Sequence, residues 1–115
     1  MTVTIYHNPR CSKSRATLQL LEARGLEPKI VEYLKTPPSA AELKRILKKL
    51  GRKPRELVRT CEPRYAELGL KHRAPDDDAL IALMVANPIL IERPIVVAGD
   101  KAAIGRPPEK VLEIL

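Results

Sequence analysis

Tyr6-His7-Asn8-Pro9-Arg10-Cys11-Ser12-Lys13-Ser14-Arg15 is the stretch on which the reading of this sequence turns. Ahead of it, Val3-Thr4-Ile5-Tyr6 is β-branched and aromatic, which favours a strand. Behind it, apolar residues fall at helical spacing, Ala16 with Leu20 and Leu18 with Leu21, until Gly25 supplies a helix stop. Cys11 is therefore predicted in the turn that opens the first helix. Unpaired backbone N–H groups and the positive end of the helix dipole face outward there. A thiolate is favoured at such a place, so the thiol pKa falls, and an oxyanion beside it meets donors already aimed at it. His7, Arg10, Lys13 and Arg15 add positive charge or potential donors. A lone cysteine is often only a small apolar filler. Four features favour a reactive one here: the strand-to-helix turn, the preceding Asn-Pro, the hydroxyl of Ser14 three residues on, and the basic surround.

With 115 residues, the length fits one domain over 1–115 that can bury roughly two-thirds of its unfolded surface. Its core must be aliphatic, because there is no Phe or Trp and the only aromatic residues are Tyr6, Tyr33 and Tyr65. No apolar run is long enough to cross a bilayer, so no membrane partner is expected. No charged n-region followed by an apolar h-region opens the sequence, which favours a cytoplasmic location. Two cysteines in that setting point to redox or nucleophilic chemistry more than to a structural staple. Cys11, Cys61, His7 and His72 lack paired-ligand spacing, so no metal is expected. The 21 basic and 14 acidic residues give a net charge of +7, which invites an anionic partner. Aromatic residues are not interleaved with the basic ones, so nucleic acid fits less well than a small oxyanion.

Pro28 to Leu34 reads as a second strand, making a βαβ unit in which the two strands are parallel neighbours. After Thr36-Pro37-Pro38, Ser39-Ala40-Ala41-Glu42 has the form of a capping box. Leu43, Ile46, Leu47 and Leu50 follow as one helical stripe ending at Gly51, with Lys44, Arg45, Lys48 and Lys49 on a solvated face. Pro54 to Arg59 suits a short helix, and Glu62 to His72 a loop with a helical turn. Asp76-Asp77-Asp78 suits the N-terminus of a helix that Asn87-Pro88 ends. Ile95 to Ala98 and Lys101 to Ile104 read as an antiparallel pair joined at Gly99-Asp100. A final helix carries Val111, Leu112, Ile114 and Leu115. The order βαβ, helices, ββα predicts an α/β thioredoxin-like fold, with a four-stranded mixed sheet and a helical insert between its halves.

At this point the sequence resembles a known family. His7 to Arg15 is similar to the active-site loop of the arsenate reductase (ArsC) family of thioredoxin-like proteins, in its glutathione- and glutaredoxin-linked class. The agreement continues at Tyr33-Leu34 with Thr36-Pro37, Leu57-Val58-Arg59, Glu67-Leu68-Gly69-Leu70, Asn87-Pro88, Arg93-Pro94-Ile95-Val96-Val97 and Ile104-Gly105-Arg106-Pro107. It spans essentially the whole chain and is nearest to the short bacterial YfgD-like members. The resemblance implies reduction of arsenate to arsenite, with glutathione and glutaredoxin as electron donors and no bound cofactor. It implies that Cys11 is the nucleophile, that His7 tunes it, and that Arg59, Arg93 and Arg106 bind the oxyanion. Ser14 and Pro94 are supporting residues, and the Arg93–Pro94 bond is expected to be cis. A monomer is expected. Cys61 is extra to the pattern, either a spectator or a resolving thiol for Cys11. Fuller members carry a C-terminal extension, whereas this sequence stops at Leu115. The same family includes Spx-like regulators that bind RNA polymerase. Those typically carry Cys-x-x-Cys, where this chain has Ser14, so the resemblance favours the enzyme, with a thiol oxidoreductase of the same fold acting on another substrate as a further alternative.

Overall fold

A computed structural model describes residues 2–73 and 75–115. The chain divides into two compact units, Met1–Thr36 with Arg93–Leu115, and Pro37–Glu92. The first holds strand β1 (Val3–His7), helix α1 (Ser12–Ala23) and strands β2 (Lys29–Glu32), β3 (Ile95–Ala98) and β4 (Lys101–Ile104). Their order in the sheet is β2-β1-β3-β4. β1 pairs with β2 in parallel and with β3 antiparallel, and β3 pairs antiparallel with β4. This is the mixed sheet expected from the sequence. β2 is shorter than expected, because the Glu32 carbonyl accepts from the amides of Lys35 and Thr36 and turns the chain.

Register places Val3 opposite Ala98 and Ile5 opposite Val96, and these four join Leu21 and Val111 in one buried cluster. Each fully buried aliphatic side chain of this kind contributes about 1.5–3 kcal/mol. Helix α1 does not bury the face its leucines suggest. Ser14, Thr17 and Leu21 are its buried residues, Ala16 is exposed, and Leu18 and Leu20 pack on the edge of the cluster. Two hydroxyls can face inward because both are satisfied. Thr17 Oγ1 donates to the Lys13 carbonyl at 2.8 Å, and Ser14 is bonded within the Cys11 loop. The last helix is a 3-10 helix, Pro108–Ile114. Two prolines open it without amide hydrogens, and its inward residues Val111 and Ile114 stand three apart, the period of that tighter helix.

The second unit contains α2 (Ala40–Leu50), α3 (Pro54–Leu57), α4 (Pro63–Glu67) and α5 (Asp77–Ala86), with a 3-10 turn at Pro88–Leu90. Ser39 caps α2 by accepting from the Glu42 amide, and Gly51 ends it at φ 67°. The buried residues of α2 are Leu43, Ile46 and Leu47, as the stripe predicts. Asp76 caps α5 by accepting from the Ala79 amide. Helix α3 is shorter than the expected span to Arg59. Val58 turns to extended backbone and forms an antiparallel bridge with Ile91. The Arg59 amide donates to Leu90 at 2.7 Å and the Glu92 amide to Leu57 at 2.9 Å, so the backbone on both sides of that bridge is pinned.

Candidate active site

Cys11 is the N-cap residue of α1, with extended backbone at φ −91° and ψ 122°. Asn8 builds the turn that delivers it. The Asn8 carbonyl accepts from the Cys11 amide and its Oδ1 from the Arg10 amide, each at 3.0 Å. Arg15 Nη1 donates back to the Pro9 carbonyl at 2.9 Å, so part of the basic surround holds the loop. The sulfur at this N-cap is half-buried.

The Cys11 pKa lies below its ordinary value. Burial pushes it up, but the amide of Ser14, a hydrogen bond from Arg93, the amide of Lys13 and the charge of Arg93 together outweigh burial. A thiolate there occupies the position where a helix cap ordinarily places an oxygen acceptor. Arg106 Nη2 lies 3.6 Å from the sulfur, and Arg106 Nε donates to the Arg93 carbonyl at 2.7 Å. One guanidinium thus fixes the loop before β3 while reaching the thiol. Arg93 and Arg106, far apart in sequence, meet at Cys11 as expected, and the Arg93–Pro94 bond is cis. The Arg106–Pro107 bond is cis as well, a feature with no local signal in the sequence.

His7 ends β1 and is buried, with Nδ1 2.6 Å from Ser14 Oγ. The same hydroxyl accepts from the Asn8 amide at 3.0 Å. Ser14 therefore ties the histidine to the loop. Burial lowers the His7 pKa, Glu32 opposes that shift and Arg15 reinforces it. The neutral ring is the favoured form near neutral pH, so His7 supplies a hydrogen-bonding partner rather than the positive charge its position suggests. Beside it lies a cleft of about 200 Å³ lined by His7, Arg10, Glu32, Leu34 and Lys35 among others.

Arg59 belongs to the second unit. Its Nη1 donates to Glu92 at 2.6 Å, its Nε to Glu62 at 3.1 Å, and its Nη2 lies 3.6 Å from Cys61 Sγ. Burial works against the Arg59 charge, but Glu92 and Glu62 more than compensate and its pKa is raised. Glu62 could have been suspected from its i+3 spacing, but Glu92 is brought in by the Val58–Ile91 bridge. Among the described residues no cluster of three or more His, Cys, Asp or Glu could hold a metal ion, and no helix is long and apolar enough to cross a membrane.

Changing Arg106 to Gln removes the cation 3.6 Å from the thiol. An opposite charge at that range lowers a pKa by about one to three units, so iodoacetamide should alkylate Cys11 roughly tenfold more slowly at neutral pH. Mass-spectrometric rates across pH measure this, and an unchanged profile would remove Arg106 from the thiolate's support. Arg106→Lys should not rescue it, since an ammonium cannot serve both the sulfur and the Arg93 carbonyl.

His7 makes a separate pH prediction. Its folded-state pKa is lowered, so the unfolded chain binds more protons below its ordinary value of about 6.5. The stability it contributes is present above that pH and is lost as pH falls toward the folded value. Urea midpoints should drop between pH 7 and pH 5, and His7→Gln should flatten that slope. A variant that keeps the full slope would place its origin elsewhere.

A four-stranded mixed sheet with a thiol capping its first helix and a cis-proline ahead of its third strand defines a thioredoxin-like thiol protein. The family is narrower than that: the ArsC family model matches residues 6–114, and the chain belongs to the ArsC family. The YfgD protein of Escherichia coli (strain K12) is 59% identical over 114 residues, covering 98% of this chain and 96% of its own length. An arsenate reductase of Neisseria meningitidis serogroup B is 50% identical over 114 residues, covering 98% and 97%. The solved structure of an arsenate reductase from Vibrio cholerae superposes with a TM-score of 0.96 at 54% identity, covering 100% of this chain and 98% of that one.

Proposed function

We propose that this protein is an arsenate reductase that draws its electrons from glutathione and glutaredoxin. The observation that carries the reading is the Cys11 thiol at the N-cap of α1, with Arg106 Nη2 at 3.6 Å and Arg93 hydrogen-bonded to it. A thiolate and an arsenate anion repel each other, so fixed cations must hold both. Arginine suits this role because its planar fork matches an oxyanion and stays charged. The Cys11 thiolate attacks arsenic(V), a sulfur–arsenic bond forms and an arsenate oxygen leaves as water. Glutathione thiolate then attacks the Cys11 sulfur. A sulfur–sulfur bond forms, the sulfur–arsenic bond breaks, and its electron pair stays on arsenic, which departs as arsenite. Two thiol electrons thus reduce arsenic(V) to arsenic(III). Glutaredoxin resolves the Cys11–glutathione mixed disulfide by thiol exchange.

Arg10 in the neighbouring cleft suits a carboxylate of glutathione, while Lys35 and Glu32 in the same cleft pair with each other at 3.6 Å. The family resemblance also assigns Arg59 to the oxyanion, and Glu62 and Glu92 hold its guanidinium in place. The reading takes 1–115 as one functional domain. Purified protein with arsenate, glutathione, glutaredoxin, glutathione reductase and NADPH should oxidise NADPH only when arsenate is present. No arsenate-dependent oxidation would sink the proposal. Oxidation without glutaredoxin would sink its electron route.

A further inference from the structure

The second unit contains a cleft of about 330 Å³ that the chemistry above does not use. Arg55 from α3 and Lys71 and Arg73 from the segment after α4 line it, and among the described residues no carboxylate does. All three cations are exposed, and among the described residues none forms an ion pair. Four acids of the flanking elements are engaged elsewhere, and Asp77 lies in the first turn of α5. Glu56 accepts from the Lys53 amide, Glu67 pairs with Arg64, Asp76 caps α5 and Asp78 pairs with Lys44. The rest of the lining is largely apolar, with Leu70 and Leu80 buried and Tyr65 half-buried. Three uncompensated cations around an apolar floor attract a compact dianion carried on a flat hydrophobic body.

We infer that this cleft is a binding site for an aromatic phosphate monoester. The phosphate lies among Arg55, Lys71 and Arg73, where arginine forks suit its oxygens. The ring lies against Tyr65, Leu70 and Leu80. Inorganic phosphate satisfies only the cations and an uncharged aryl alcohol only the floor, so neither alone binds as tightly as the two joined.

The test uses the whole chain, isotope-labelled, titrated with 1-naphthyl phosphate, inorganic phosphate and 1-naphthol while amide shifts are followed by NMR. 1-Naphthyl phosphate should move amides within 55–73 and around Leu80. It should bind on the order of tenfold more tightly than either fragment, and the affinity should weaken with salt. Arg55→Gln with Arg73→Gln should reduce that affinity on the order of tenfold. Both residues are exposed, so the fold should persist, and an unchanged amide spectrum elsewhere checks this. Shifts confined to the Cys11 loop, a 1-naphthyl phosphate affinity no better than that of inorganic phosphate, or undiminished binding in the double variant would each overturn the assignment. None of these readouts depends on arsenate turnover, so this site and the reductase reading can fail separately.

Discussion

Cys11→Ser should abolish glutathione-dependent arsenate reduction, whereas Cys61→Ser should leave most of it. The reason is electron bookkeeping as well as nucleophilicity. A serine hydroxyl remains protonated where the Cys11 thiol, with its lowered pKa, supplies thiolate. Even a serine ester of arsenate would be a dead end, since oxygen cannot form the disulfide that leaves two electrons on arsenic. A loss on the order of a thousandfold or more is expected in the coupled assay, down to the background without protein. Cys61 sits in an exposed turn ahead of α4, next to Arg59. It caps no helix, because Glu62 occupies the N-cap of α4. Iodoacetamide should therefore modify Cys11 before Cys61 at pH 7. If Cys61→Ser instead stops turnover while Cys11 still alkylates quickly, an internal Cys11–Cys61 disulfide carries the electrons and the glutathione step is wrong.

The sheet and most of the helices could be read from the sequence because their signals are local. Continuous β-branched runs, the Ser39 and Asp76 caps and the Leu43–Ile46–Leu47 stripe each specify an element without reference to the rest of the chain. The thiol's setting was legible for the same reason, since a strand, a turn and a helix within residues 3–23 suffice to place Cys11 at an N-cap. Failures came where tertiary partners decide. In α1 the apolar residues suggested one face, but the helix buries Ser14 and Thr17, whose hydroxyls are satisfied by His7, Asn8 and Lys13. Polar residues score as outward in any periodicity count, so only the bonds reveal them as inward. Whether His7 supplies positive charge or a hydrogen-bonding partner has no local signature, because its burial is a property of the folded sheet. Glu92 as a partner of Arg59 lies 33 positions away and has no local signature. Gly105 has no local signal beyond a glycine between β4 and the last helix, and its constraint lies in what surrounds it.

Gly105→Ala should destabilise the first unit and impair the site together, although glycine's φ here is not in the left-handed region. A Cβ at this position would stand 2.5 Å from Thr17 Oγ1, 2.8 Å from Pro94 Cγ and 3.2 Å from Thr17 Cγ2. None of these atoms is the free end of a flexible chain. Thr17 is β-branched, fully buried and bonded to Lys13, while Pro94 is fully buried and its carbonyl accepts from the Gly105 amide at 3.0 Å. Overpacking of this kind costs about 1–3 kcal/mol, read as a lower urea midpoint. The strain falls on the segment that carries Arg106 and on the loop that carries Arg93, the two cations at Cys11. Cys11 alkylation at neutral pH should therefore slow in Gly105→Ala under conditions where the variant is still folded. Thr17→Ala should cost stability alone, but in combination with Gly105→Ala it should recover part of the loss, because it removes two of the three close contacts. A double-mutant cycle measures that coupling. Strict additivity, or a Gly105→Ala protein with unchanged stability and unchanged Cys11 reactivity, would show that this close approach does not set the position of Arg106.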